Sequence, residues 1–212
     1  MPEYGFYLQA FIGFLAIVNP MGAVPVFLAL TSDRSHEERH AIARTAALTV
    51  LLVLLAALWG GDVVLRFFGI GIPAFRVGGG LLIILMAIAM LHARQSHAAH
   101  TEDEAAEASE REAIGVVPLG IPLMAGPGAI SLVIVIAHQV ASILDRLWLS
   151  LCVAAVAVIV WIVLHLAEPI GSALGVTGLN IMVRIMGLLL AAIGVQILAE
   201  GGVALVLGLL PE

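Results

Sequence analysis

Two short stretches of this chain combine groups that can bind a ligand with residues that break helices. Asn19-Pro20-Met21-Gly22 lies inside one apolar segment, and Gly126-Pro127-Gly128, followed by Ser131, lies inside another. Proline removes a backbone donor and crowds the preceding turn, and glycine loses more chain entropy on ordering, so neither suits an ordinary helix interior. In lipid such a break is tolerated only where the freed backbone groups are buried in protein or line a wet cavity. Each break presents half-helix ends: N–H groups with positive dipole charge that suit a carboxylate, and carbonyls that suit a cation or an ammonium group. Gly22, Gly126 and Gly128 let a ligand approach the backbone, while Asn19 and Ser131 add side-chain hydrogen bonding. A zwitterionic amino acid matches such a site at both ends. Two interrupted apolar segments in corresponding positions of two halves point to a transporter's binding site. The candidate substrate-binding residues are therefore Asn19, Pro20, Gly22, Gly126, Pro127, Gly128 and Ser131.

Among the charged residues in or beside apolar segments, Asp62, Arg76, Glu168 and Arg184 stand out. A charge at the centre of a bilayer costs about 2.5–3.5 kcal/mol on insertion scales, so it pairs or serves function. Asp62, Glu168 and the carbonyls of the helix breaks are the candidate partners of Arg76 and Arg184; the alternative is that the arginines snorkel to the interface. Gln196 reads as an interhelical hydrogen bond, and His165 reads as a packing residue more than as a proton relay. There is no His-Glu-x-x-His, no Gly-x-Ser-x-Gly and no phosphate-binding loop, so no enzyme, cofactor or metal site is expected. His97 and His100 lack the spacing of metal ligands. Cys152 is the single cysteine, which leaves no intrachain disulfide.

The elements that hold these residues are membrane spans. Hydrophobic residues make up 62% of the chain and charged residues 11%, with a mean hydropathy of +1.13. Soluble domains have roughly 45–50% apolar and about 25% charged residues, so this is an integral membrane protein. Period-2 alternation is missing, which argues against a membrane β-barrel. The net charge of −6 arises mostly in one loop and suggests no nucleic-acid partner. The N-terminus has no basic region, so the first apolar segment is read as a retained helix.

Apolar segments are expected at about 4–30, 41–68, 74–91, 113–140, 147–170 and 181–199. Ser35 and Glu38 read as a capping box that opens the second. Gly69–Pro73 and Gly171–Gly178 read as turns. Gly201-Gly202 is expected to interrupt the last helix, leaving 203–210 as a terminal extension too short to span. The expected fold is an all-α membrane protein with six transmembrane helices. They form two inverted repeats of three, with helices 1 and 4 broken. Residues 1–92 form the first repeat, 93–112 a hydrophilic cytoplasmic loop and 113–212 the second repeat. Asp62 and Glu168 occupy matching places in the two halves, as do Arg76 and Arg184. Gly79-Gly80 with Ala87, and Gly187 with Ala191 and Gly194, form small-residue stripes suited to close helix packing. Arg34, Arg39, Arg44, Arg94 and Arg111 fall on one side of the membrane, and Arg66 and Arg146 on the other. The positive-inside rule places the first side in the cytoplasm and both termini outside.

Four stretches together resemble the MarC family of bacterial and archaeal membrane proteins, also classed as SnatA-like neutral amino acid transporters. They are Asn19–Phe27, Phe68–Leu82, Pro118–Ser131 and Arg184–Gln196. The resemblance spans nearly the whole chain. It implies a six-span inner-membrane protein with its N-terminus outside. It further implies uptake of small neutral amino acids such as glycine or alanine, driven by an ion gradient, with H+ or Na+ as the coupling ion. Six spans, an inverted repeat and Asn-Pro at a half-helix break also resemble aquaporins, so a passive channel for small polar solutes is the alternative. Aquaporins carry Asn-Pro-Ala twice, whereas the second break here is Gly-Pro-Gly. Exact substrate, direction of transport and oligomeric state are not legible in the sequence.

Overall fold

The computed structural model describes residues 4–92 and 114–209, which form a helical bundle with no strand among them. The hydrophilic loop expected at 93–112, with His97, His100, Arg94 and Arg111, lies outside the described residues. The first apolar segment is split into α1 (Tyr4–Val18) and α2 (Pro20–Leu30), followed by α3 (His36–Phe67) and α4 (Ile72–Leu91). A widely wound stretch, Gly115–Met124, then leads to α5 (Pro127–His138), α6 (Ile143–His165) and α7 (Ala167–Leu209). Among the described residues, five apolar helical runs are long enough to cross a membrane: Tyr4–Leu30, His36–Phe67, Ile72–Leu91, Ile143–His165 and Ala167–Gly208. Pro127–His138 is apolar but shorter.

The approach to α5 is not an ordinary helix, and its sequence says why. Val117 (φ −126°, ψ 122°) and Ile121 (φ −127°, ψ 130°) are extended. Each precedes a proline in the sequence, and the residue before proline is pushed out of the helical region. The chain recovers with a wide turn in which the Ala125 N–H donates to the Gly120 carbonyl at 2.8 Å, five residues back. Local signals hold elsewhere. The capping box at Ser35 forms, with Glu38 N–H donating to Ser35 Oγ at 3.4 Å and Ser35 N–H donating to Glu38 Oε2 at 3.0 Å. Gly69, at φ 67°, reverses the chain between α3 and α4.

The bundle is organised by two antiparallel helix pairs. In the first, α3 is pinned at one end to the start of α6 and at the other to the end of α6 and the first turn of α7. Arg146 Nη2 meets Asp62 Oδ2 at 2.7 Å, and Trp59 Nε1 donates to Ser150 Oγ at 3.1 Å. At the other end Arg39 pairs with Glu168, and the His40 and His165 rings stack at 3.9 Å. The two pinned levels are separated by roughly 35 Å of α3 at 1.5 Å per residue, slightly more than the ~30 Å hydrocarbon core. The start of α1 lies at the Asp62 end, because Tyr7 donates to the buried Asp145 Oδ1 at 2.7 Å.

In the second pair, α4 packs along the second half of α7. Gly187, Gly194 and Gly201 recur along α7 and face Ala87, Gly80 and Pro73 of α4. A Cβ on Gly80 would lie 2.7 Å from Leu198 N and 2.8 Å from Gly194 O; one on Gly201 would lie 2.9 Å from Pro73 O. Small residues thus bring the backbones together, as membrane helices without a hydrophobic driving force require. This corrects the break expected at Gly201-Gly202. The helix continues to Leu209, because Gly201 serves the contact with α4, and its non-helical interior residue is Gly175 (φ 58°, ψ −179°). That kink falls within the turn expected at Gly171–Gly178.

Candidate functional site

At the first break Asn19 does two jobs. It adopts the left-handed conformation (φ 46°, ψ 62°), and no other non-glycine residue among those described has a positive φ. Asparagine tolerates this region because its short side chain bonds locally. Its N–H donates to Leu15 O at 3.0 Å, closing α1, and its Oδ1 accepts from Gly22 N at 3.2 Å, opening α2. Pro20 follows at the first helical position, where its missing N–H costs nothing. Gly22 is required here, since a Cβ would collide with the Asn19 amide.

The second break is left open. Gly126 leads into α5 with extended backbone (φ −76°, ψ 179°), Pro127 follows, and no side chain caps the helix. Proline has no N–H and Ile130 N–H already bonds Gly126 O at 3.1 Å, so the uncapped first-turn amides are those of Gly128 and Ala129. Both residues are buried. One turn on, Ser131 is 5% exposed and its hydroxyl has no hydrogen-bond partner among the described residues. A helix start buried without a cap leaves donors that an anion would satisfy.

The structure sets the start of α5 beside the end of α1. A Cβ on Gly128 would lie 3.4 Å from Ile17 Cδ1, two residues before Asn19, and would collide with Met86 Sδ of α4. A Cβ on Gly79 of α4 would lie 2.9 Å from Ser131 Cβ. The opening turn of α5 is therefore laid against the last turn of α1 and roofed by α4.

The charged residues are placed differently from expectation. Asp62 and Glu168 do not partner Arg76 or Arg184. Asp62 holds Arg146 and, at 3.2 Å, His138 Nδ1 at the end of α5. Glu168 holds Arg39, with His36 Nδ1 at 3.8 Å. Arg39 also donates to Thr31 O (2.9 Å) and Ser32 O (3.0 Å), satisfying carbonyls at the end of α2. The reason is the antiparallel pairing of α3 and α6, which sets Asp62 near the end of α3 beside Arg146 at the start of α6, and Arg39 at the start of α3 beside Glu168 in the first turn of α7. Arg76 pairs with Glu200 of α7 at 3.5 Å, while its Nε is buried without a partner. Arg184 is exposed and has no acidic partner among the described residues. Gln196 bonds Glu200 on its own helix at 3.0 Å, not a neighbouring helix, and His165 is exposed against His40. Sequence reasoning missed Met86, because nothing local marks which residue of an apolar helix will face a distant glycine.

The double role of Asn19 gives a sharp expectation. Asn19→Ala removes a cap worth about 0.5–2 kcal/mol and places alanine in a left-handed turn at a further cost of about 1–2 kcal/mol. Asn19→Gly keeps the backbone, so its melting temperature in detergent should fall much less. Equal losses for the two variants would show that the left-handed turn carries no weight.

The chain matches the family described as MarC family integral membrane protein over residues 4–206. It is 39% identical over 199 residues to the UPF0056 membrane protein YhcE of Escherichia coli (strain K12), covering 94% of this chain and 93% of that protein. Its identity to the UPF0056 membrane protein YvbG of Bacillus subtilis (strain 168) is 37%, with 93% and 94% covered. An archaeal relative, the UPF0056 membrane protein MJ1677 of Methanocaldococcus jannaschii, is 35% identical, with 92% and 95% covered. No solved structure matches the chain.

Proposed function

Starting from the fact that this chain belongs to the MarC family of integral membrane proteins, we propose that it is a secondary transporter of small neutral amino acids, of the glycine and alanine class, coupled to a proton or sodium gradient. The observation that carries this reading is the buried, uncapped opening of α5 beside a serine hydroxyl without a partner. A carboxylate there would accept from the Gly128 and Ala129 amides and from Ser131 Oγ. The Asn19 carbonyl oxygen is engaged by Gly22, which leaves its amide NH2 to donate to the same ligand. The ammonium group would face the carbonyl ends of α1 and of the Gly115–Met124 stretch, where helix dipoles are negative. The close approach of Ile17 and Met86 to Gly128 favours a small side chain.

The packing pattern supports two inverted repeats of three, with Gly115–Met124 and α5 together making the sixth span. α1–α2 would correspond to that stretch and α5, α3 to α6, and α4 to α7. The extensive helix contacts join one half to the other: α3 with α6, α4 with α7, α3 with α5, α2 with α7. The Asp62–Arg146 pair has its counterpart in Glu168–Arg39 at the opposite end. Substrate sites of inverted-repeat transporters lie at the interface of the repeats.

Calorimetric titration of the purified protein with glycine and with alanine tests the reading. Saturable binding of either, strengthened by sodium or by a change of pH, is expected. No heat from any neutral amino acid would contradict it.

The inner membrane is the proposed location, with both termini outside. In a Cys152→Ala background, a cysteine at Ser32 should label from the cytoplasm and one at Gln139 from outside. The reverse pattern would invert the orientation.

A further inference from the structure

We propose that Met86 sets the upper size limit of the transported amino acid, its thioether standing where the substrate side chain must go in front of Gly128. The inference rests on the transport reading above and adds the residue that selects among substrates. Gly128 carries the uncapped amide, so a carboxylate bound there places its α-carbon and side chain in the space over the Gly128 backbone. Met86 Sδ occupies that space, since even a Cβ on Gly128 would collide with it.

The other walls cannot yield in the same way. Ile17 is 1% exposed in the core of α1, 3.4 Å from the same point. The missing side chain of Gly79 seats α4 against the Ser131 side chain, one turn along α5 from Gly128. Met86 is partly buried and lies between Ile83 and Ala87, both fully buried. Methionine has three rotatable bonds and an adaptable thioether, so it can swing aside for a hydrogen or a methyl group without moving α4. A branched or longer side chain would need more room than that rotation opens. The position is thus a movable stopper between fixed walls.

Competition experiments in proteoliposomes test this. Uptake of radiolabelled alanine is measured against glycine, serine, valine and leucine for the wild type, Met86→Ala and Met86→Phe. In the wild type, glycine and serine should compete well and valine and leucine at least tenfold less well. Met86→Ala should lower the half-inhibitory concentrations of valine and leucine tenfold or more while shifting glycine less than threefold. Met86→Phe should act oppositely, weakening alanine relative to glycine, so the test survives a failure of one variant to fold. An unchanged size ranking in either variant that retains uptake overturns the role of Met86 and leaves the transport reading standing. No alanine or glycine uptake by the wild type overturns both.

Discussion

A Gly80→Val protein should fail to accumulate as a folded, monodisperse species. The Cβ would lie 2.7 Å from Leu198 N and 2.8 Å from Gly194 O, and both of these are backbone atoms of α7. A side-chain neighbour could rotate away, but a backbone neighbour can yield only if the helices separate. Separation would break the Gly187 and Gly201 contacts on the same stripe and pull Arg76 from Glu200. Overpacking usually costs about 1–3 kcal/mol and occasionally more. Gly80 belongs at the upper end, because the most extensive helix pair in the molecule depends on this approach. Gly78, two residues earlier, is the control: nothing lies within 4 Å of a Cβ there. Gly78→Val should elute and melt close to the wild type. A Gly80→Val protein with wild-type elution and melting temperature would show that α4 and α7 are not held as described.

Gly128→Val should instead remain folded and lose substrate. Its Cβ meets the flexible Met86 side chain, which can move, and the helix is already interrupted at Gly126, two residues earlier. The new side chain fills the space over the amide on which the proposed carboxylate sits. Alanine affinity should fall at least 100-fold, equivalent to about 2.7 kcal/mol, while the melting temperature changes by a few degrees. Wild-type alanine affinity in a Gly128→Val protein would move the binding site elsewhere.

The parts of this structure legible in the sequence are those governed by local rules. Pro20 and Pro127 mark helix starts because proline at the first helical position loses no backbone hydrogen bond. Ser35 with Glu38 announced the start of α3, and the small-residue stripes announced close helix packing, though not which helices would pair. What local rules could not supply was pairing between distant residues. Asp62 and Glu168 stood out as charges, but their partners depend on α3 and α6 running antiparallel, which no short stretch states. Gly201 misled for the same reason. A glycine pair reads locally as a break, whereas here the missing side chain admits a neighbouring helix. At Asn19 the residue type fitted a ligand contact equally well as a cap. The geometry shows that its carbonyl oxygen already serves the cap, which leaves only the amide NH2 for the proposed ligand.

The central claim is that the two helix breaks form one binding site through which a small amino acid is driven across the membrane. The most direct test is accumulation of radiolabelled alanine in proteoliposomes, with and without an imposed proton or sodium gradient, for the wild type and Gly128→Val. The account predicts wild-type accumulation above equilibrium only when a gradient is present, and none for Gly128→Val. Flux that merely equilibrates, with or without a gradient, would contradict it and favour a passive channel.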